Sequence, residues 1–147
     1  MTIRQLSVYV ENKAGRFKEI TGILTSASIN IIAHALLDTR DFGVLRMIVD
    51  TPERAVDILK TQGFVVNLNH VLGVLVDDRP GGFDQLLAVL AKKKISFNYT
   101  YSIGQLDTKK AVIILHVDDR ETAERLLRGQ QVEMVGHDTL CQSSLSR

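Results

Sequence analysis

The sequence repeats itself, and that repeat limits the possible folds more than any other feature of its 147 residues. NKAGRF (Asn12 to Phe17) returns as DRPGGF (Asp78 to Phe83), placing Gly15 on Gly81 and Phe17 on Phe83 at a spacing of 66 positions (81 − 15). The same spacing carries Leu6, Val8 and Val10 onto Leu72, Val74 and Val76, and Ile29 onto Ile95. Further along it becomes 68 (117 − 49), carrying Val49, Glu53, Ala55 and Leu59 onto Val117, Glu121, Ala123 and Leu127. A two-residue insertion accounts for the change, and the turn-rich stretch SIGQLDTKK (Ser102 to Lys110) is the place for it. The chain therefore reads as two copies of one unit of roughly 70 residues. The first module spans 1–68, the second 69–140 and a tail 141–147, with the junction near Asn67 to His70.

Both copies have the same pattern. QLSVYVE alternates apolar and other residues, as a strand with one buried face does, and a polar loop ending in Gly15 opens a helix with Phe17, Ile20, Leu24 and Ala27 on one side. INIIAHALL (Ile29 to Leu37) and VLRMIV (Val44 to Val49) read as strands around the turn DTRDFG. TPERAVDILKTQG reads as a helix, with Thr51 as N-cap, Pro52 at the first position and Gly63 as the stop. FVVNLNHV closes the copy. The second copy follows with VLGVLV, GFDQLLAVLAKKK, ISFNYTYSI, AVIILHV, RETAERLLRG and VEMV, and Ser143 to Arg147 are expected to fray. The order βαββαβ, twice, defines an α+β fold of two ferredoxin-like modules, each an antiparallel four-stranded sheet with both helices on one face. Val71 to Val76 and Ala111 to Leu115 are apolar at consecutive positions, so both sheet faces are expected to be covered. The other copy or a second chain would cover the helix-free face, and a homodimer is the economical solution.

In each copy the first strand runs through a glycine loop into a helix amino end. Unpaired N–H groups and the local dipole there suit a small carboxylate, and glycine allows close approach. Asn12 and Asp78, three residues before Gly15 and Gly81, offer a side-chain oxygen to an ammonium group. The combination suits an amino-acid zwitterion. A plain cap and turn would use the same residues.

VENKAGRF and VDDRPGGF resemble the strand-1/helix-1 signature of the ACT domain, the βαββαβ module that binds amino acids in regulated metabolic enzymes, and ASINIIA is similar to the segment entering its second strand. The resemblance covers nearly the whole chain as two modules without a catalytic domain, and so implies a non-catalytic, stand-alone tandem ACT protein. It implies that modules pair through their second strands, with ligand between one glycine loop and the neighbour's second strand. By position the first site would use Asn12, the loop Lys13, Ala14, Gly15, Arg16 and Phe17, and Asn30; the second would use Asp78, Pro80, Gly81, Gly82, Phe83 and Ser96. Ala14 stands where the pattern prefers the proline kept as Pro80, and Ser96 stands where it prefers the asparagine kept as Asn30. Two unequal sites are expected. Tyr99 and Tyr101, alternating along a strand, either line the ligand's side chain or pack between copies.

Other chemistry has less support. The net charge is +1, and the central strands LSVYVE, VLRMIV, VLGVLV and AVIILHV hold a single aromatic, Tyr9, so base stacking on RNA is not expected. His34, His70, His116 and His137 have no ligand spacing, although His34 is a candidate pocket wall; Cys141 is the lone cysteine, and no metal or cofactor is expected. GxSxG, P-loop and GxGxxG fingerprints are missing, as are a membrane-length apolar run and a signal-peptide core, which leaves a cytoplasmic protein as the expectation. A small ferredoxin-like enzyme, or an interaction module without ligand, are the alternatives to an amino-acid sensor with an unidentified protein partner.

Overall fold

The computed structural model describes residues 1–37, 40–107 and 109–145, and its contacts divide into two compact units: Arg4–Asn69, and His70–Arg147 together with Met1–Ile3. Asp38 and Thr39 of the expected turn DTRDFG, Thr108 of SIGQLDTKK, and Ser146 and Arg147 of the expected frayed tail lie outside the described residues.

In the first unit the strand order is β2(Ile31–Leu37), β3(Phe42–Val49), β1(Ile3–Glu11), then the start of β4(Val65–Asp77), with β1 and β2 both antiparallel to β3. Alternation along β1 sends Leu6, Val8 and Val10 into one core with Leu45, Met47 and Val49 of β3. Helices α1(Arg16–Ser26) and α2(Pro52–Thr61) close that core with Ile20 and Leu24, and with Ala55 and Leu59. Both helices thus lie on one sheet face, as the βαββαβ pattern requires. Gly63, at φ 88°, ends α2 as expected. Thr51 stands at the N-cap, but its hydroxyl donates to Asp50 Oδ1 at 3.1 Å and makes no cap hydrogen bond.

The second unit repeats the arrangement as β5(Tyr99–Asp107), β6(Lys110–His116), the remainder of β4, then β7(Met134–Val135), with α3(Gly82–Lys92) and α4(Arg120–Gly129) over Leu72, Val74, Ile113 and Leu115. Asp119 caps α4, its carboxylate accepting from the Thr122 N–H at 3.1 Å. The two extra residues of the second copy are absorbed inside a strand. β5 slips register against β6 between Ile103 and Gln105 and again between Gln105 and Asp107, so part of the expected loop is bulged sheet.

Three boundaries differ from the sequence reading. The segments expected as a closing strand and an opening strand, FVVNLNHV and VLGVLV, form the single strand β4, because alternation continues with no glycine or proline to break it before Gly73. β5 starts at Tyr99 rather than Ile95, whose side chain packs on the helix-side core. Ser143 to Leu145, expected to fray, are the last turn of a further helix, α5(His137–Leu145). It packs against β5 and buries His137 and Leu140. Val112 and Ile114 alternate with the core residues Ile113 and Leu115, so they face away from α3 and α4, yet both are fully buried. Gly73 allows this unit to close: a Cβ there would lie 2.5 Å from Ile3 Cδ1 and 2.9 Å from the Val135 carbonyl. No helix among the described residues is long and apolar enough to cross a membrane.

Candidate functional site

The two glycine loops have one backbone design. The N–H of Lys13 donates to the Glu11 carbonyl, that of Asn12 to Asp41 and that of Arg16 to Lys13; in the second copy Arg79 donates to Asp77, Asp78 to Lys109 and Gly82 to Arg79. Gly15 and Gly81 sit at φ 85° and φ 90°, left-handed conformations that glycine adopts without strain. Neither α1 nor α3 receives a side-chain cap, although the first helical N–H of each, on Arg16 and on Gly82, is taken by the loop carbonyl of Lys13 or Arg79.

Loop one borders a cavity of about 170 Å³ lined by Val10, Asn12, Lys13, Phe17, Leu36 and Leu37. The Asn12 Nδ2 donates to the Arg40 carbonyl at 3.3 Å, which leaves the amide oxygen as an acceptor. Glu11 and Lys13 form an ion pair at 2.9 Å, and the hydrogen bond from Lys13, with Lys13 and Arg16 charges beside it, holds the Glu11 carboxyl below its ordinary value. Phe17 packs against His34, ring centres 5.9 Å apart. The cavity therefore combines apolar walls with one carboxamide and one ion pair, a setting for a small zwitterion with a modest side chain.

Of the residues named from the first loop, Asn12, Lys13 and Phe17 line this cavity, while Ala14, Gly15 and Arg16 shape the turn beside it. Asn30 is at the other end of the sheet: its N–H donates to Asp50 Oδ1, beside the start of α2. Within one module Asn12 and Asn30 do not meet. Leu36 and Leu37, the consecutive apolar residues that end β2, were missed as pocket walls; the break in alternation just before a turn was their signal.

Loop two differs. A Cβ on Gly82 would lie 2.0 Å from the Asp77 carbonyl oxygen, so that glycine is required by the loop's own closure. Arg79 pairs with Asp77 at 3.3 Å, Pro80 precedes Gly81, and Phe83 is exposed. Beside this loop lies a groove of about 280 Å³ bordered by Asp77, Gly82, Gln85, Lys110, Val132 and Glu133. Ser96 and Tyr99 lie away from it, at the far end of the module. Tyr99 stacks on His116 at 4.8 Å and on Tyr101 at 6.5 Å, and Asn98 donates to Asp118 at 2.8 Å. Among the described residues, no cluster of three His, Cys, Asp or Glu side chains is placed to hold a metal ion.

A family model, ACT domain pair, matches residues 1–143. Protein BT0572 from Bacteroides thetaiotaomicron is 30% identical, with 95% of this chain and 96% of that one covered and a TM-score of 0.89. The regulatory subunits of aspartate kinase from Thermus thermophilus (13% identity, 86% and 91% covered) and Thermus flavus (12%, 95% and 91%) share the fold at TM-scores of 0.62. No curated protein matches the sequence.

Proposed function

Because the chain belongs to the ACT domain pair family, we propose that it is a non-catalytic regulatory sensor that binds a small amino acid at the first module's glycine loop. The observation that carries this reading is the cavity against loop one: an uncapped helix amino end, the Asn12 carboxamide and apolar walls converge on it. The carboxylate would take the Phe17 and Lys18 N–H groups of α1, and the ammonium would take the Asn12 oxygen. Asn30 of a second copy of the chain would complete the site, since Asn12 and Asn30 lie at opposite ends of their own sheet. Leu36 and Leu37 in the cavity wall, and Tyr9 and Phe42 elsewhere on the same module, are each about half exposed or more, and their covering by a second copy would support a homodimer. Ligand would act by stabilising one module arrangement over another, by no more than its difference in affinity for the two. Output then passes to a protein partner in the cytoplasm.

Calorimetric titration with the twenty L-amino acids tests the reading. One of them is expected to bind saturably, with affinity lost in Asn12→Ala, an exposed position whose change leaves the core intact. A folded protein that binds none of the twenty would leave an interaction module with ordinary helix starts.

A further inference from the structure

Strand pairing builds the floor of the loop-one cavity. Val10 of β1 pairs with Gly43 of β3, and Leu36 of β2 pairs with Leu45, two residues along β3 from Gly43. Val10, Gly43 and Leu36 therefore share the sheet face that carries the module core, and all three border the cavity. At Gly43 that floor is bare backbone. A Cβ added there would lie 3.1 Å from Leu36 Cδ1, so a side chain at this position would take up room between Val10 and Leu36. Phe17, at the start of α1, is a further wall, its ring backed by His34.

The second copy has neither feature. Ala111 pairs with Val76 as Gly43 pairs with Val10, and Ser102 pairs with Ile113 as Leu36 pairs with Leu45. A methyl group and a hydroxyl thus stand where the first copy has bare backbone and an isobutyl group. The polar groups at the first cavity already answer one another. Glu11 and Lys13 pair at 2.9 Å, and the Asn12 Nδ2 is given to the Arg40 carbonyl. With the Asn12 oxygen assigned to the ligand's ammonium, a polar ligand side chain entering here would exchange water for carbon. An apolar cavity of ~150 Å³ takes a molecule of about six carbons. The 170 Å³ here therefore suits a side chain of three or four carbons, with the carboxylate and ammonium held at the loop.

We propose that the loop-one cavity selects an aliphatic amino acid of the valine, leucine and isoleucine class. Its side chain lies on Val10 and Gly43 between Leu36 and Phe17, and Gly43 sets the size that fits. This proposal rests on the amino-acid reading of loop one and narrows it to a ligand class. A methylene moved fully out of water is worth about fourfold in affinity. The Leu36 wall is half open to solvent, so each methylene of the ligand gains about twofold to fourfold.

The test is an amide NMR titration of the isotopically labelled full chain, read at Asn12 to Lys18, with the twenty L-amino acids and the straight-chain L-2-aminobutyrate and L-norvaline. Affinity is expected to rise about twofold to fourfold per methylene from L-alanine through L-2-aminobutyrate to L-norvaline. L-Valine is expected to bind at least tenfold more tightly than L-threonine, and L-leucine than L-asparagine, each pair being close in shape. Gly43→Ala is expected to weaken L-leucine at least tenfold and L-alanine less than threefold. Leu36→Ser, at a half-exposed side chain that the core does not need, is expected to flatten the methylene series; circular dichroism confirms that both variants fold. Three results overturn the proposal: a polar or charged amino acid binding loop one more tightly than valine, leucine and isoleucine, a flat methylene series in the parent, or undiminished L-leucine affinity in either folded variant. Each of these leaves an amino-acid site at loop one standing. Loop-one amides that none of the twenty shifts would instead remove that site and this proposal together.

Discussion

Gly81 and Gly82 are neighbours in the sequence, yet the structure assigns them different constraints, and the difference is measurable. A Cβ at Gly81 would have as its nearest neighbour a flexible arginine Nη1 at 4.0 Å, so Gly81→Ala meets no steric block. It pays only for φ 90°, a left-handed conformation that costs a non-glycine residue about 1–2 kcal/mol. At Gly82 the φ angle asks nothing special, but the new Cβ would sit 2.0 Å from the backbone oxygen of Asp77, more than 1 Å inside contact distance for carbon and oxygen, roughly 3.2 Å. No rotamer relieves a backbone clash, so the loop must move. Overpacking of that kind costs ~1–3 kcal/mol, and losing the Gly82 N–H to Arg79 bond at 3.0 Å adds about 1 kcal/mol. Gly82→Ala should therefore destabilise by about 3 kcal/mol and Gly81→Ala by about half that. Urea unfolding followed by circular dichroism and by tyrosine emission reads both variants. With a slope of about 1–3 kcal/mol/M, the Gly82 midpoint should fall by roughly 1–3 M. A Gly82→Ala variant as stable as Gly81→Ala, or more so, would refute this account of the loop.

Other outcomes follow from the same geometry. Gln131 holds φ 59° at the place where the first copy has Gly63 at φ 88°, so Gln131→Gly should stabilise by about 0.5–1 kcal/mol in the same urea assay. Leu24→Ala empties a fully buried position between α1 and its sheet, and should cost about 2–5 kcal/mol by thermal or urea unfolding. The Met1 ammonium lies 2.8 Å from Glu124, and that hydrogen bond, with Arg128 beside it, lowers the Glu124 pKa in the folded state. A depressed carboxylate stabilises the fold above its unfolded value of 4.5 and loses that contribution as pH falls through the lower folded value. Glu124→Gln should therefore be less stable than the parent at pH 7, with the gap closing in unfolding midpoints measured below pH 4.5.

The module order was legible because strand alternation, helical spacing and glycine stops recur twice and agree with one another, as the shared cores of Leu6, Ile20 and Met47 and of Leu72, Leu86 and Leu115 illustrate. The two-residue difference between copies was also legible, but its placement was not. Turn-forming residues drew it to a loop, whereas backbone pairing absorbs it as two register slips along β5. α5 escaped notice because HDTLCQSSL has little apolar periodicity; its burial depends on contact with β5, a tertiary fact. At the candidate site, Asn12, Lys13 and Phe17 could be named from the loop motif, since the motif is local. Leu36 and Leu37 could not, because they reach the cavity through strand pairing with β3.

The central claim is an amino-acid site at loop one, and amide NMR spectra of the protein saturated with the amino acid identified by calorimetry test it most directly. Shifts concentrated at Asn12 to Lys18, with the corresponding Asp78 to Asp84 amides moving less, are the predicted result. Saturable binding that leaves Asn12 to Lys18 unmoved would contradict the account.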